Sequence, residues 1–96
     1  MKIGYARVST NDQNLDAQLD ALTLAGADKI FKEKMTGSKR ERPELEKLLE
    51  QLRKDDVIIV TKYDRLSRSL RDLIDIVGRI AEAGAGFKSI AEDKRH

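Results

Sequence analysis

Two short segments of this 96-residue chain hold side chains that could act on a phosphate group. The first contains Arg7 and Ser9, and the second runs from Asp64 through Arg65 to Arg68. Guanidinium groups stay charged and present paired donors that match phosphate oxygens. A serine hydroxyl aimed at the same phosphorus is a candidate nucleophile, and an aspartate can move a proton to or from the reacting oxygens. These residue types therefore predict phosphoryl transfer on a phosphate diester.

The composition removes most other routes to catalysis. The chain has no cysteine, and its single histidine is His96, which argues against a thiol nucleophile, a disulfide scaffold and a Cys- or His-based metal site. The net charge is only +2, so DNA binding has to be argued from where the arginines lie. No apolar run approaches the roughly 18 residues of a membrane span, and the N-terminus does not resemble a signal peptide. We expect a cytoplasmic protein with no membrane partner.

Each candidate residue also has a purely structural interpretation. Ser9 can cap the helix that follows it. Arg65, Arg68 and Arg71 recur every three residues, which is typical of a solvated helix face. Ordinary surface charges, ion pairs or helix-surface amides would account for the remaining candidates, which are Arg7, Arg42, Gln13 and Gln18. On residue types alone, both interpretations stay open.

The apolar pattern predicts strands that alternate with helices. Strands are predicted at residues 2–8, 29–31, 57–60 and 87–90, and residues 32–42 are predicted to form an exposed loop. Such alternation implies right-handed crossovers and a parallel sheet with helices on its faces. We therefore expect an α/β fold, a three-layer sandwich with a central, mostly parallel sheet, in a single domain over residues 1–96. Ligands of such sheets gather beyond the carboxyl ends of the strands, which is where the two phosphate-directed segments lie.

The same segments resemble the serine recombinases of the resolvase/invertase family. Three blocks carry the resemblance, namely residues 4–10 (GYARVST) with 12–15 and 18–19, residues 62–68 (KYDRLSR), and residues 36–38 with 42–43. The first is similar to the opening motif of the family, the second to its arginine motif after the third strand, and the third to its mobile active-site loop. The resemblance extends from Lys2 to about Glu92, with Ser67 where some members have glycine.

The resemblance implies a covalent mechanism that needs no metal and no nucleotide cofactor. Ser9 would attack a DNA phosphodiester, form a 5′-phosphoserine linkage and leave a free 3′-hydroxyl. Subunit rotation would exchange the strands, and reversal of the attack would rejoin them. The residues that match the family's site are the nucleophile Ser9, the leaving-group acid Asp64, and the phosphate-binding or polar residues Arg7, Arg42, Arg65, Arg68, Gln13 and Gln18.

The resemblance also implies partners. These are double-stranded DNA with a specific recombination site, and further copies of the chain, as a homodimer and tetramer in the complete protein. Family members continue with a dimerisation helix and a helix-turn-helix DNA-binding domain, neither of which matches these 96 residues. We expect a catalytic-domain core from a bacterium or a mobile element, acting at the nucleoid. The alternative is a non-catalytic fragment or an interfering subunit that folds but does not recombine alone.

Overall fold

Strands and helices alternate along the chain, as the apolar pattern predicts. The computed structural model describes residues 1–9, 15–35, 43–62 and 69–93, without the side chains at 8, 9, 15, 34, 35, 92 and 93. The strands are β1 (Lys2–Ser9), β2 (Lys29–Met35), β3 (Val57–Val60) and β4 (Gly86–Ser89). The helices are α1 (Leu15–Leu24), α2 (Pro43–Glu50), α3 (Leu70–Glu82) and the single turn α4 (Ile90–Asp93). No helix within these ranges has both the length and the apolar character that a membrane crossing requires.

The four strands form one parallel sheet in the order β2-β1-β3-β4. β1 pairs with β2 from Ile3↔Lys29 to Ser9↔Met35, and with β3 from Lys2↔Val57 to Gly4↔Ile59. The chain winds outward from β1 to β2 on one side and from β3 to β4 on the other. The direction of winding therefore reverses between β1 and β3, and such a switch point leaves a crevice beyond the carboxyl ends of the two strands.

Helices cover both faces of the sheet, so the predicted three-layer arrangement is confirmed. Successive residues of a strand face opposite sides, and β1 divides its side chains in this way between two apolar clusters. The cluster under α2 and α3 contains Ile3, Tyr5, Ile58 and Val60 from the sheet, and Leu45, Leu48, Leu49, Ile76 and Ile80 from the helices. The cluster under α1 contains Ala6, Leu22 and Ile59.

β2 is longer than the sequence predicts. The strand runs over Lys29–Met35, whereas the apolar residues alone predicted an end at Phe31 and a loop from residue 32. β2 lies at the edge of the sheet, where charged side chains are common because one side of the strand faces solvent. The prediction of a loop over residues 32–35 is therefore wrong, and the rest of the predicted loop, residues 36–42, lies outside the described residues.

Candidate active site

The carboxyl end of β1 carries two of the predicted site residues. In the pairing with β2, Arg7 lies opposite Glu33 and the backbone of Ser9 lies opposite Met35. Strand alternation puts Arg7 on the same face as Tyr5, which is the face that α2 covers. Arg7 is partly buried, and its Nη1 atom is enclosed by the protein. A guanidinium group therefore stands beside the switch point, two residues before the proposed nucleophile.

Gln18 is buried rather than exposed on the surface of α1. Its side chain is 6% exposed, and its Oε1 and Nε2 atoms are both buried without a hydrogen-bond partner. An unpaired buried amide costs about 1–3 kcal/mol, which a bound ligand or an ordered water would recover. The interpretation of Gln18 as an ordinary helix-surface amide is thus wrong, and its open hydrogen-bonding capacity favours a role in a binding site.

The direction of α1 brings Gln18 toward the carboxyl end of β1. Leu22 packs over Gly4 so closely that a Cβ atom on Gly4 would lie 3.3 Å from the Cδ1 atom of Leu22. α1 returns the chain from the carboxyl edge of the sheet to the start of β2, so Gln18 lies about 6 Å nearer that edge than Leu22 does. Gln18 lies on the face of the sheet that α1 covers, and Arg7 projects to the face that α2 covers. A site at the end of β1 would therefore contain groups from both faces of the sheet.

The other predicted site residues, which are Gln13, Arg42, Asp64, Arg65 and Arg68, lie outside the described residues. Their neighbours in the chain are described. β3 ends at Val60 and leads through Thr61 and Lys62 into the segment with the second phosphate-directed motif. α2 begins at Pro43, directly after Arg42. Arg71 is exposed on α3, as expected for a residue on a solvated helix face.

Glu33 is a buried acid that the sequence interpretation did not single out. It is 3% exposed, and its Oε1 atom accepts hydrogen bonds from the backbone N–H groups of Glu44 and Leu45, both at 3.1 Å. The hydroxyl of Tyr5 donates to the same oxygen at 3.4 Å. A signal for this role was present in the sequence. The guanidinium of Arg42, the residue before α2, has only donors and cannot accept from the first N–H groups of the helix.

A second group of polar residues lies at the opposite, amino end of the sheet. The carboxylate of Asp56 accepts from the backbone N–H of Arg53 at 2.9 Å and pairs with the Met1 ammonium at 3.2 Å. The hydrogen bond from Arg53, together with the Met1 ammonium, holds the pKa of Asp56 below its ordinary value. A cavity of about 400 Å³ opens beside this pair and is lined by Met1, Ile3, Lys29, Gln51, Arg53 and Asp56. These contacts tie the starts of β1 and β3 together, far from the carboxyl edge.

Within the described ranges, no group of three or more acidic or histidine side chains is arranged to hold a metal ion. The described part of the site instead offers one cationic group, Arg7, and one neutral amide with free donors and acceptors, Gln18. Such groups suit the binding of an anion, because guanidinium and amide N–H groups both donate to phosphate oxygens.

Comparison with known proteins identifies a family over nearly the whole chain. Residues 2–96 match the family described as "Resolvase, N terminal domain". The chain is 48% identical over 92 residues to the serine recombinase gin of Escherichia phage Mu, covering 96% of this chain and 48% of that protein. It is 48% identical over 93 residues to the transposon Tn917 resolvase of Enterococcus faecalis, covering 97% of this chain and 50% of that protein.

A solved structure gives the same result for the fold. The C-terminal catalytic domain of ISC1926 TnpA, described as an IS607-like serine recombinase, superposes with a TM-score of 0.80 at 26% identity. The match covers 99% of this chain and 70% of that one. The chain spans about half the length of the phage and transposon relatives it matches. Because the family match extends over residues 2–96, the chain belongs to the resolvase family of serine recombinases and corresponds to the N-terminal domain of that family.

Proposed function

We propose that this chain is the catalytic core of a site-specific DNA recombinase that cleaves and rejoins DNA through a covalent 5′-phosphoserine intermediate on Ser9. The observation that carries the proposal is the pairing of β1 with β3. Ser9 is the last residue of β1, and the segment with Asp64, Arg65 and Arg68 comes after the end of β3. Because neighbouring parallel strands end at the same edge of a sheet, both phosphate-directed segments leave the sheet at its switch point.

In the proposed cleavage step, the Ser9 oxygen attacks the phosphorus as the bond to the 3′ oxygen breaks. The serine hydroxyl gives its proton to a solvent water molecule, and protonated Asp64 gives its proton to the departing 3′ oxygen. Charge that builds on the non-bridging oxygens is met by Arg7, with Arg42, Arg65 and Arg68 in the same role. Rejoining is the reverse attack by a 3′-hydroxyl. One phosphoester bond replaces another in each direction, so the reaction needs no external energy source.

Gln18 supports this proposal independently of the arginines. Its buried amide offers two N–H donors and a carbonyl acceptor near the end of β1. A phosphate oxygen or the serine hydroxyl would satisfy that capacity on substrate binding. We assign Gln18, and by motif Gln13, to the polar groups that orient the reacting oxygens.

The partners in the proposed reaction are double-stranded DNA with a specific recombination site and further copies of the chain, as a dimer and tetramer in the complete protein. The proposed location is the cytoplasm of a bacterium, at the nucleoid. Few phosphate contacts are available to these 96 residues, so we expect weak binding to DNA that falls steeply as salt increases.

A nicked suicide substrate tests the proposal. The chain is incubated at low salt with nicked duplexes of randomised sequence, from which a cleaved strand end is lost and cannot be rejoined. The expected product is a covalent protein–DNA adduct that peptide mass spectrometry maps to Ser9. Ser9→Ala should abolish the adduct. Ser69→Ala is the matched control. The Ser69 hydroxyl caps α3 by accepting a hydrogen bond from the Asp72 N–H at 3.1 Å, and loss of this cap should cost about 1 kcal/mol of stability.

Two outcomes would overturn the proposal. One is the absence of any adduct with the wild-type chain, which would favour a non-catalytic fragment or interfering subunit. The other is an adduct that persists undiminished in Ser9→Ala, which would require another nucleophile.

A further inference from the structure

Two exposed lysines lie on either side of β1, and the proposed reaction gives neither of them a role. Lys32 is on β2, and Lys62 follows the last residue of β3 by two positions. β2 and β3 are the two strands that pair with β1. The strand that carries Arg7 therefore has a lysine on each side, and we call Lys32 and Lys62 the flanking lysines.

The sheet register sets the flanking lysines at a height similar to that of Arg7. On one side, Lys32 lies opposite the residue before Arg7. On the other side, the pairing of β1 with β3 aligns Gly4 with Ile59. Arg7 and Lys62 each come three residues after these two partners. Because neighbouring parallel strands advance by the same distance of about 3.3 Å per residue, the three cations form a row across the sheet.

Both ammonium groups of the flanking lysines are open to solvent. Among the described residues, neither lysine has an ion pair or a hydrogen-bonded side chain. The acid next to Lys32 in the chain is Glu33, which faces the other side of the sheet and accepts three hydrogen bonds there. The backbone before Lys62 is anchored, because the Thr61 carbonyl accepts from the Ala91 N–H at 3.0 Å.

The spacing of the flanking lysines suits the backbone of one DNA strand. Neighbouring strands of a sheet lie about 4.8 Å apart, so β2 and β3 lie about 10 Å apart with β1 between them. The two phosphates on either side of a central phosphate are about 7 Å apart along the duplex axis. Lysine carries a compact charge on a flexible stem, so two such side chains can adjust to this span.

We propose that Lys32 and Lys62 bind the phosphates on either side of the one held by Arg7, so that the DNA backbone crosses the sheet from β2 over the end of β1 to β3. The flanking lysines hold the DNA and do not touch the reacting atoms. Their contacts are electrostatic and carry no sequence information. The inference rests on the proposed function, because it takes DNA as the ligand of this edge of the sheet.

The salt dependence of DNA binding tests the proposal without any cleavage. A fluorescent duplex of randomised sequence is titrated with the Ser9→Ala chain, and anisotropy gives the binding constant at salt concentrations from about 50 to 200 mM. Each phosphate contact contributes about 0.9 to the slope of log K against log salt. Lys32→Gln and Lys62→Gln should each lower the magnitude of the slope by about 0.9, and the double variant by about 1.8.

Matched variants separate a contact from a change in net charge. Lys54→Gln removes one exposed lysine in the turn before β3, at the opposite, amino end of the sheet, and should keep the slope of the parent chain. Lys32→Arg and Lys62→Arg should also keep it, because arginine neutralises a phosphate as lysine does. All of these positions are exposed, so each variant should stay within about 0.5 kcal/mol of the parent stability.

The outcomes distinguish this inference from the proposed function. Unchanged slopes in the Lys32→Gln and Lys62→Gln variants overturn the inference alone, provided that the wild-type chain still forms its adduct. A decrease in Lys54→Gln as large as in those variants shows an effect of net charge, and also overturns it. Failure of the parent chain to bind DNA at low salt does the same. Absence of an adduct with the wild type refutes the cleavage step, whereas the slopes still decide whether DNA lies across the flanking lysines.

Discussion

Arg7 and Glu33 are register partners on neighbouring parallel strands, and each lies two residues before the end of its strand. Partners in a parallel sheet project to the same face, so a guanidinium and a carboxylate stand side by side near the carboxyl edge. The carboxylate caps α2, and the guanidinium is the group that we propose to bind phosphate. The register thus places Arg7, which we propose to bind phosphate, beside Glu33, which caps α2.

Arg7→Lys should lower the maximal rate of adduct formation by about a hundredfold or more, because lysine keeps the charge but cannot make the bidentate contact with phosphate. The melting temperature should change little, since the charge beside Glu33 is retained. Arg53→Lys, at the amino end of the sheet, is the control and should leave the rate unaltered. Equal rates for wild type and Arg7→Lys would remove Arg7 from the proposed site.

Gln18→Leu should stabilise the fold and impair the reaction. Leucine has nearly the same size and removes an amide whose polar atoms are buried without partners, so the free energy of unfolding should rise by about 1–2 kcal/mol. For a domain of this length, that gain corresponds to an increase in melting temperature of roughly 5–10 °C.

Gln51→Leu is the comparison, because Gln51 is exposed and its Oε1 atom accepts from Lys29 at 3.5 Å. It should not raise the melting temperature. Thermal denaturation and the adduct assay measure the two effects. A destabilised Gln18→Leu variant would show that the amide is satisfied in solution, and an unimpaired rate would show that it serves no substrate.

Asp56 should contribute to the loss of stability in acid. The Arg53 N–H and the Met1 ammonium lower the pKa of its carboxyl below the ordinary value of 3.8. A group whose pKa is lowered in the folded state stabilises the fold above its unfolded pKa and ceases to do so as pH falls through the folded value. The contribution is therefore complete above about pH 5 and declines below about pH 4.

Asp56→Asn should consequently melt below the wild type at about pH 6, and the difference should shrink toward about pH 3. Asp75→Asn removes one exposed acid from α3 and controls for the change in net charge. Melting curves across this pH range measure the difference. A gap between wild type and Asp56→Asn that stays constant down to low pH would contradict the proposed ion pair.

Leu48→Ala should cost about 2–5 kcal/mol of stability, because Leu48 fills the core between α2 and the sheet. Leu24→Ala makes the same chemical change at a leucine that is 88% exposed, and should stay within about 0.5 kcal/mol of the wild type. Denaturant unfolding of both variants measures the difference. Similar costs at the two positions would contradict the core described for the α2 face.

The order of elements could be predicted from the sequence because its signals are local. The run Val57 to Val60 is continuously apolar, as expected for a strand buried on both faces, and it forms the inner strand β3. The leucines of α2 recur at helical spacing, and Leu45, Leu48 and Leu49 are buried. The polar segments after β1 and β3 were predicted to share an edge if the two strands were neighbours, and the strands do pair. The roles of the site residues in catalysis stay predictions.

The sequence alone thus determined the parallel α/β class, the positions of the strands that bracket the site, and the family. Only the tertiary structure decided that β2 continues to Met35 and that the Gln18 amide is buried without a partner. It also decided that Glu33, on β2, caps α2. Each of these features depends on residues far apart in the chain. Arg7 and Glu33 lie opposite each other only because the sheet aligns their two strands. The spacing of residues along the chain does not specify that register.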